Sequence, residues 1–177
     1  MQKNSFLAYK ITDPAYYSHN PTRLFSTLMR TKSADLVTLR DKHNPKLKKL
    51  AKRMATRGGC LNQNFTLARR VGIRCVHFTS SQLQEAKRAR RAGFFTIFSA
   101  HTFKELKDAR RARIHLVTFS PIFASPGKGA PLGVRVLRKA VVKHKNIIAL
   151  GGIVSVKSIH SVKRTKACGF ASIRAFV

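Results

Sequence analysis

Short apolar runs rich in β-branched residues alternate along the chain with stretches whose apolar residues recur at helical spacing. The alternation repeats at intervals of roughly twenty residues, as expected when parallel strands are joined by crossover helices. The runs predicted as strands are Phe6–Ile11, Leu36–Leu39, Cys60–Leu61, Cys75–Phe78, Phe94–Phe98, Leu116–Phe119, Ile147–Leu150 and Phe170–Ile173. The stretches predicted as helices are Thr22–Met29, Pro45–Thr56, Phe65–Val71, Ser81–Ala92, Thr102–Ala112, Val134–Lys143 and Val156–Arg164.

Local signals mark where several of these helices begin and end. Thr102, with Glu105 three positions later, has the spacing of a capping box. Gly72, Gly93 and Gly169 lie where a helix should give way to the next strand, so we expect them to supply the positive φ of a helix C-cap.

The element order predicts an α/β fold closed into a (β/α)8 TIM-type barrel, because eight strands favour closure over an open sheet. The eighth strand runs close to Val177, so we expect the last helix to be absent and one barrel end to be uncovered. A second copy of the chain could cover that end, which makes a homo-oligomer an open expectation. The length favours a single domain over residues 1–177.

Polar residues are concentrated directly after the predicted strands, where the active site of such a barrel lies. Arg40 and Lys42 follow the second strand, and their rigid fork and point charge together suit a pyrophosphate. Gly151 and Gly152 follow the seventh strand and would let the backbone approach a phosphate. Similar polar positions follow the third, fifth and sixth strands, at Asn62–Asn64, Ser99–His101 and Ser120–Lys128.

Some of these segments resemble a known family. Val117–Lys128, followed by Pro131–Gly133 and Ala149–Ile153, resembles the sixth-strand loop and seventh-strand glycine turn of the thiamine phosphate synthase and thiazole tautomerase superfamily. Thr38–Lys42 resembles the strand-two motif of that family, and Tyr9–Asp13 also fits. The resemblance extends over nearly the whole chain.

The resemblance implies an Mg²⁺-assisted transferase of thiamine biosynthesis, in which a hydroxymethylpyrimidine pyrophosphate is joined to a thiazole phosphate and pyrophosphate is released. It implies catalytic roles for Lys128, Arg40 and Lys42. It also implies that the two phosphorylated substrates contact Asn62 and Ser99 on the pyrimidine side and Ser125, Gly151 and Gly152 on the thiazole side.

The sequence departs from the family at several positions. Gln63 and Gln82 stand where the family has metal-binding Asp residues, and Mg²⁺ prefers carboxylate oxygen, so we expect weak binding of Mg²⁺ by the protein. Thr38 replaces a Gln, Gly127 replaces a Thr, and the strand-eight serine that helps hold phosphate falls on Arg174. Thr38, Gly127, Arg174 and the neighbouring Ile173 are still expected to contact substrate. Pro121 occupies the position of the histidine that the tautomerase branch uses, which argues against that activity.

Charge keeps a second class of function open. The chain has 36 Lys plus Arg against 6 Asp plus Glu, a formal net charge of +30, and its positive field attracts polyanions. The basic residues are spread through the predicted helices, as in Glu85–Arg91 and Asp108–Arg113, so we expect at most non-specific nucleic-acid binding.

A third alternative is a catalytically reduced, regulatory relative that binds a phosphorylated ligand without turnover, which Gln63 and Gln82 favour.

Location and the state of the cysteines are predicted from simple features. No apolar run approaches the ~18 residues that span a bilayer, and the first twenty residues lack a signal-peptide pattern, so we expect a cytoplasmic protein without a membrane partner. Cys60, Cys75 and Cys168 are odd in number and have no metal-binding spacing, which predicts reduced, buried thiols. His77 follows an apolar run and is interpreted as a structural histidine more readily than as a catalyst.

Overall fold

The structure, a computed structural model, describes residues 6–18, 20–30 and 34–177. Its strands are β1 (Leu7–Ile11), β2 (Leu36–Leu39), β3 (Cys60–Asn62), β4 (Cys75–Phe78), β5 (Phe95–Ala100), β6 (Leu116–Phe119), β7 (Ile147–Leu150) and β8 (Gly169–Ser172). Its helices are α1 (Pro21–Arg30), α2 (Leu47–Ala55), α3 (Phe65–Val71), α4 (Leu83–Arg91), α5 (Phe103–Arg111), α6 (Gly133–Lys143) and α7 (Val156–Lys163). Single 3-10 turns cover Ser80–Gln82 and Arg174–Phe176.

The strands form a closed parallel barrel in chain order, with β8 returning to β1. The predicted α/β class and TIM-type barrel are therefore confirmed, and each predicted strand and helix is present within a few residues of its expected bounds. The turn Arg174–Phe176 stands where a helix after β8 would begin.

Apolar side chains pack in two layers because residues alternate between the two faces of a strand. Those that face the inside of the barrel, among them Tyr9, Ile97 and Ile148, form a small central cluster. Those on the other face, such as Phe78 and Phe98, pack against the helices in the larger cluster. Polar side chains at the ends of inward-facing rows consequently meet at the barrel mouth.

The helix-end predictions are confirmed except at one position. Thr102 and Glu105 form the expected capping box, and Gly72 and Gly93 have φ values of 81° and 77°. Gly169 instead lies inside β8, where an added Cβ would come within 2.7 Å of the Leu7 Cβ. The prediction for Gly169 is wrong because this glycine allows close contact between β8 and β1.

Two of the cysteines form a disulfide, which corrects the prediction of reduced thiols. Cys60 and Cys75 begin the neighbouring strands β3 and β4, and their Cα atoms lie 4.5 Å apart. The strand register that brings them together was not visible from a spacing of 15 residues. Cys168 is a free cysteine, and burial raises the pKa of its thiol to about 11.

Among the residues that the structure describes, no helix combines the length and the apolar character needed to cross a membrane.

Candidate functional site

A cleft of about 840 Å³ opens at the mouth where β1 and β2 end. Besides Pro14 and Pro45, its lining consists of cations, amides, a histidine and two carboxylates: Asp13, Asn20, Arg40, Asp41, Lys42, His43, Asn44 and Lys46. The guanidinium of Arg40 is paired with the Asp13 carboxylate, and the Arg40 backbone N–H donates to the Thr12 hydroxyl at 2.8 Å. Arg40 is thus held in place, whereas the side chain of Lys42 is exposed in the same cleft. The structure brings together these two cations predicted to bind pyrophosphate.

A row of buried polar side chains crosses the barrel interior below this mouth. The Tyr9 hydroxyl lies 2.5 Å from the Thr38 hydroxyl and 2.7 Å from Nδ1 of His77. Nε2 of His77 lies 3.0 Å from the Ser99 hydroxyl, and the Thr118 hydroxyl donates to Ser99 at 3.4 Å. Four of these residues are buried, and Ser99 is partly exposed at the end of the row.

This row is uncharged at neutral pH. Burial, with a smaller contribution from the positive charge of Arg40, lowers the pKa of His77 to about 3. Burial also raises the pKa of Tyr9, and its hydrogen bond with Thr38 offsets only part of that shift. His77 therefore takes part as a neutral imidazole, with one ring nitrogen donating and the other accepting.

Sequence reasoning selected Thr38 and Ser99 from this row but missed Tyr9 and Thr118, and it favoured a structural role for His77. A usable signal was present: each is a polar residue at an inward-facing position of a mostly apolar strand. Which of these strands would face one another could not be seen without the barrel register.

Asn62 ends β3 beside this row. Its Nδ2 donates weakly to the His77 carbonyl at 3.4 Å. Its Oδ1 is buried and has no hydrogen-bond partner among the described residues. An unsatisfied buried acceptor costs roughly 1–3 kcal/mol, so Asn62 is a candidate acceptor for a hydrogen bond from a ligand.

The loop after β6 folds over the end of β7. Backbone N–H groups of Ile122 and Phe123 donate to the carbonyls of Leu150 and Gly151 at 2.9 and 3.0 Å. The Gly152 N–H donates to the Ser125 hydroxyl at 3.0 Å. The structure thus brings Ser125 to Gly152, and the backbone that approaches the two glycines most closely is this loop.

Three other predicted residues lie around this end of the mouth. Lys128 is exposed in the same loop as Ser125, and its backbone N–H donates to the Ser125 carbonyl at 3.2 Å. Gly127, next to it, has a φ of 67°. Gly151, with a φ of 96°, packs against Pro121, whose Cα would lie 2.8 Å from an added Cβ.

The last residue of β8, Ser172, carries a buried hydroxyl that sequence reasoning missed. Ser172 donates to the Ile153 carbonyl at 2.8 Å and accepts from the Ala175 N–H at 3.1 Å. Ile173 is partly buried, and its carbonyl accepts from the Tyr17 hydroxyl at 3.3 Å. Arg174 points to solvent in the 3-10 turn. Ser172 therefore links the end of β8 to the segment after β7.

Gln63 and Gln82, the predicted metal positions, are neighbours. Nε2 of Gln82 donates to the Gln63 carbonyl at 3.2 Å and to the Glu85 carboxylate at 2.7 Å. Oε1 of Gln82 accepts from the Thr79 N–H as part of a capping box. Within the described ranges, no group of three or more His, Cys, Asp and Glu is placed to hold a metal ion. The donors at these two positions do not fit a protein-held Mg²⁺.

Comparison with known proteins relates this geometry to a family. A family model described as thiamine monophosphate synthase matches residues 8–176. The thiamine phosphate pyrophosphorylase of Pyrococcus furiosus superposes with a TM-score of 0.78 at 18% identity, over 96% of this chain and 86% of that one. FabK of Thermotoga maritima superposes with a TM-score of 0.74 at 12% identity, over 97% of this chain and 59% of that one. No curated protein sequence matches the chain. At these identities the structural likenesses establish the barrel fold alone.

Proposed function

Because the chain belongs to the thiamine monophosphate synthase family, we propose that it joins a hydroxymethylpyrimidine pyrophosphate to a thiazole phosphate and releases pyrophosphate. The observation that carries the proposal is that one mouth holds two separate candidate regions for anions. One is the cleft with Arg40 and Lys42 after β2. The other is the loop with Ser125 and Lys128 beside Gly152, at the end of β7. Two phosphorylated substrates need two such regions.

The chemistry required of the site is stabilisation of a departing anion. The bond between the pyrimidine methylene carbon and the pyrophosphate oxygen breaks, and its electron pair leaves with pyrophosphate. The lone pair of the thiazole nitrogen then forms the new carbon–nitrogen bond. Arg40, Lys42 and Lys128 stabilise the negative charge on the leaving group.

The neutral row beneath the mouth suits this reaction because it adds no positive charge next to a cationic pyrimidine. In one arrangement of protons Thr38 donates to Tyr9, Tyr9 donates to Nδ1 of His77, and Nε2 of His77 donates to Ser99. The Ser99 hydroxyl is then left to donate to a substrate oxygen or nitrogen. The unsatisfied Oδ1 of Asn62 accepts from the substrate on the same side.

No step of this mechanism runs through Mg²⁺. Gln63 and Gln82 offer the ion no carboxylate, and the Gln82 amide oxygen accepts from the Thr79 N–H in the capping box of the turn Ser80–Gln82. Fixed cations of the protein take over the charge stabilisation. A transferase with reduced dependence on Mg²⁺ is therefore the form of the activity that these residues support.

The direct test is single-turnover formation of thiamine phosphate from the two phosphorylated halves, with and without Mg²⁺. The Lys128→Ala variant should lose turnover by orders of magnitude, while Lys139→Ala, an exposed lysine on α6, should retain it. Absence of product from the wild-type protein would contradict the proposal. If thiazole phosphate still binds in that case, the second candidate function applies, a catalytically reduced phosphate-binding relative, which the two glutamines favour.

A further inference from the structure

The face of the barrel opposite the mouth carries a ring of basic residues. Each helix of a β/α barrel runs back against the strands, so the ends of the helices and the loops after them lie at the N-terminal ends of the strands. Six such segments, 52–59, 69–74, 88–94, 110–115, 143–146 and 163–168, each contain two or three Lys or Arg residues and no Asp or Glu. Charges that are dispersed along the chain are therefore collected on one face.

Part of this ring is held in place by the protein itself. Nε of Arg90 donates to the Arg113 carbonyl at 2.9 Å, which ties the segment after α4 to the segment after α5. Nη1 of Arg110 reaches the Lys143 carbonyl at 3.5 Å, a weaker contact towards the next segment. Cations near a helix C-terminus also interact favourably with its dipole, which offsets part of the repulsion among these basic residues. Pre-positioned cations lose less entropy when they bind an anion.

Two histidines report the positive field of this face. His115 lies just before β6, and burial together with the charge of Arg90 lowers its pKa. His144 lies just before β7, and burial together with the charge of Arg110 lowers its pKa, although a backbone hydrogen bond offsets part of the shift. Both histidines are therefore neutral at physiological pH, and the positive charge of this face comes from its Arg and Lys residues.

An aromatic pair lies within the ring. Phe95 begins β5 and is 39% exposed. Its ring stacks on the His115 imidazole with 4.6 Å between centroids and 18° between planes. Arg91 precedes it, and Arg111 and Arg113 precede His115, all three exposed. An exposed ring on a face that also carries exposed arginines can stack a nucleobase while guanidinium groups bind the flanking phosphates.

We propose that this face, the basic ring around Phe95 and His115, binds single-stranded nucleic acid. Arginine outnumbers lysine in four of the six segments, which suits phosphodiester recognition. A bilayer-inserting surface needs a cluster of apolar side chains. The exposed large apolar side chains near these segments, Phe95, Val142 and Phe103 beside Lys143, belong to three different elements. A duplex hides the base faces that Phe95 would stack against.

The test compares two variants of equal net charge. One carries Arg91→Gln, Arg111→Gln and Arg113→Gln, in the segments that precede β5 and β6. The control carries Lys104→Gln, Arg135→Gln and Lys157→Gln, exposed cations in the first turns of α5, α6 and α7 at the opposite end of the barrel. Affinity for a fluorescent twenty-nucleotide oligouridine is measured by anisotropy over a range of salt concentrations, together with oligodeoxythymidine, an RNA duplex and phosphatidylserine vesicles.

We expect oligouridine to bind the wild-type protein more tightly than the duplex or the vesicles. The arginine variant should bind at least tenfold more weakly. Its plot of log binding constant against log salt concentration should have a slope shallower by about 2, since each phosphate contact contributes about 0.7 for single strands. Phe95→Ala should weaken binding by roughly fivefold or more, and Phe95→Trp should restore it. Oligodeoxythymidine tells whether the 2′-hydroxyl contributes.

Equal losses in the arginine variant and the control would overturn the proposal, because the total charge alone would then explain binding. Tighter binding to duplex or vesicles would also overturn it.

A second measurement uses the wild-type protein alone, in case a variant fails to fold. Photocrosslinking to an oligonucleotide that contains 4-thiouridine should modify the peptide around Phe95 or the segment 110–115. Crosslinks confined to the peptides that carry Lys42 and Lys128 would place the nucleic acid at the mouth and overturn the proposal.

Discussion

Replacing Gly152 by alanine should destabilise the protein more than replacing Gly58, a glycine of nearly the same positive φ with open space around it. Its φ is 66°, and an added Cβ would lie 2.7 Å from the Phe123 Cβ and against the Ala124 carbonyl. Gly58, in the turn after α2, has a φ of 67° with no atom within 4 Å of an added Cβ. Alanine variants at these two positions therefore separate the free-energy cost of the backbone conformation from the cost of the close contact.

The magnitudes follow from these two environments. A left-handed conformation costs a non-glycine residue about 1–2 kcal/mol, which is the full loss of unfolding free energy expected for Gly58→Ala. Overpacking adds about 1–3 kcal/mol, so Gly152→Ala should lose about 2–5 kcal/mol. For a chain of this length each kcal/mol lowers the melting temperature by about 2–4 °C.

The assay is urea denaturation followed by far-UV circular dichroism, with both variants and the wild-type protein measured in the same buffer. Gly152→Ala should also disturb the hydrogen bond from its N–H to Ser125, so its binding of thiazole phosphate should weaken while Gly58→Ala binds normally. Equal stability of the two variants would refute the packing of the sixth loop against β7 on which the candidate phosphate region depends.

Three further outcomes follow from the structure. The pKa of His77 is about 3 when folded and 6.5 when exposed, so the unfolded state binds more protons between these values. The free energy of unfolding should therefore fall as the pH drops from 6.5, by at most about 1.4 kcal/mol per pH unit from this group, and urea titrations of His77→Gln should show a shallower fall; identical profiles would contradict the buried, neutral assignment. Thiol titration of the denatured, unreduced protein should count one thiol, from Cys168, because Cys60 and Cys75 form a disulfide; three thiols would show that the disulfide is absent. Since a net charge of +30 repels itself, phosphate or sulfate should raise the melting temperature above that in chloride of equal ionic strength, and an unchanged melting temperature would speak against this self-repulsion.

Much of the candidate site could be placed from the sequence because polar residues at strand ends must meet at one mouth in any parallel barrel. Arg40, Lys42, Asn62, Ser99 and Ser125 were selected in this way, together with the resemblance, and they remain predicted site residues. Their individual partners could not be predicted. The pairing of Arg40 with Asp13 and the open acceptor of Asn62 depend on side-chain positions to within an ångström.

The class of fold, the approximate bounds of the strands and helices, and the capping box at Thr102 could all be predicted from the order of residues. These features depend on hydrophobic periodicity and on contacts between residues a few positions apart, and both are visible in the sequence. Tertiary structure alone decided which distant residues became neighbours. The register of the strands paired Cys60 with Cys75 and aligned the polar row from Thr38 to Ser99. The common direction of the helices gathered dispersed arginines on one face, because helices that all run the same way around a barrel must all end on the same side.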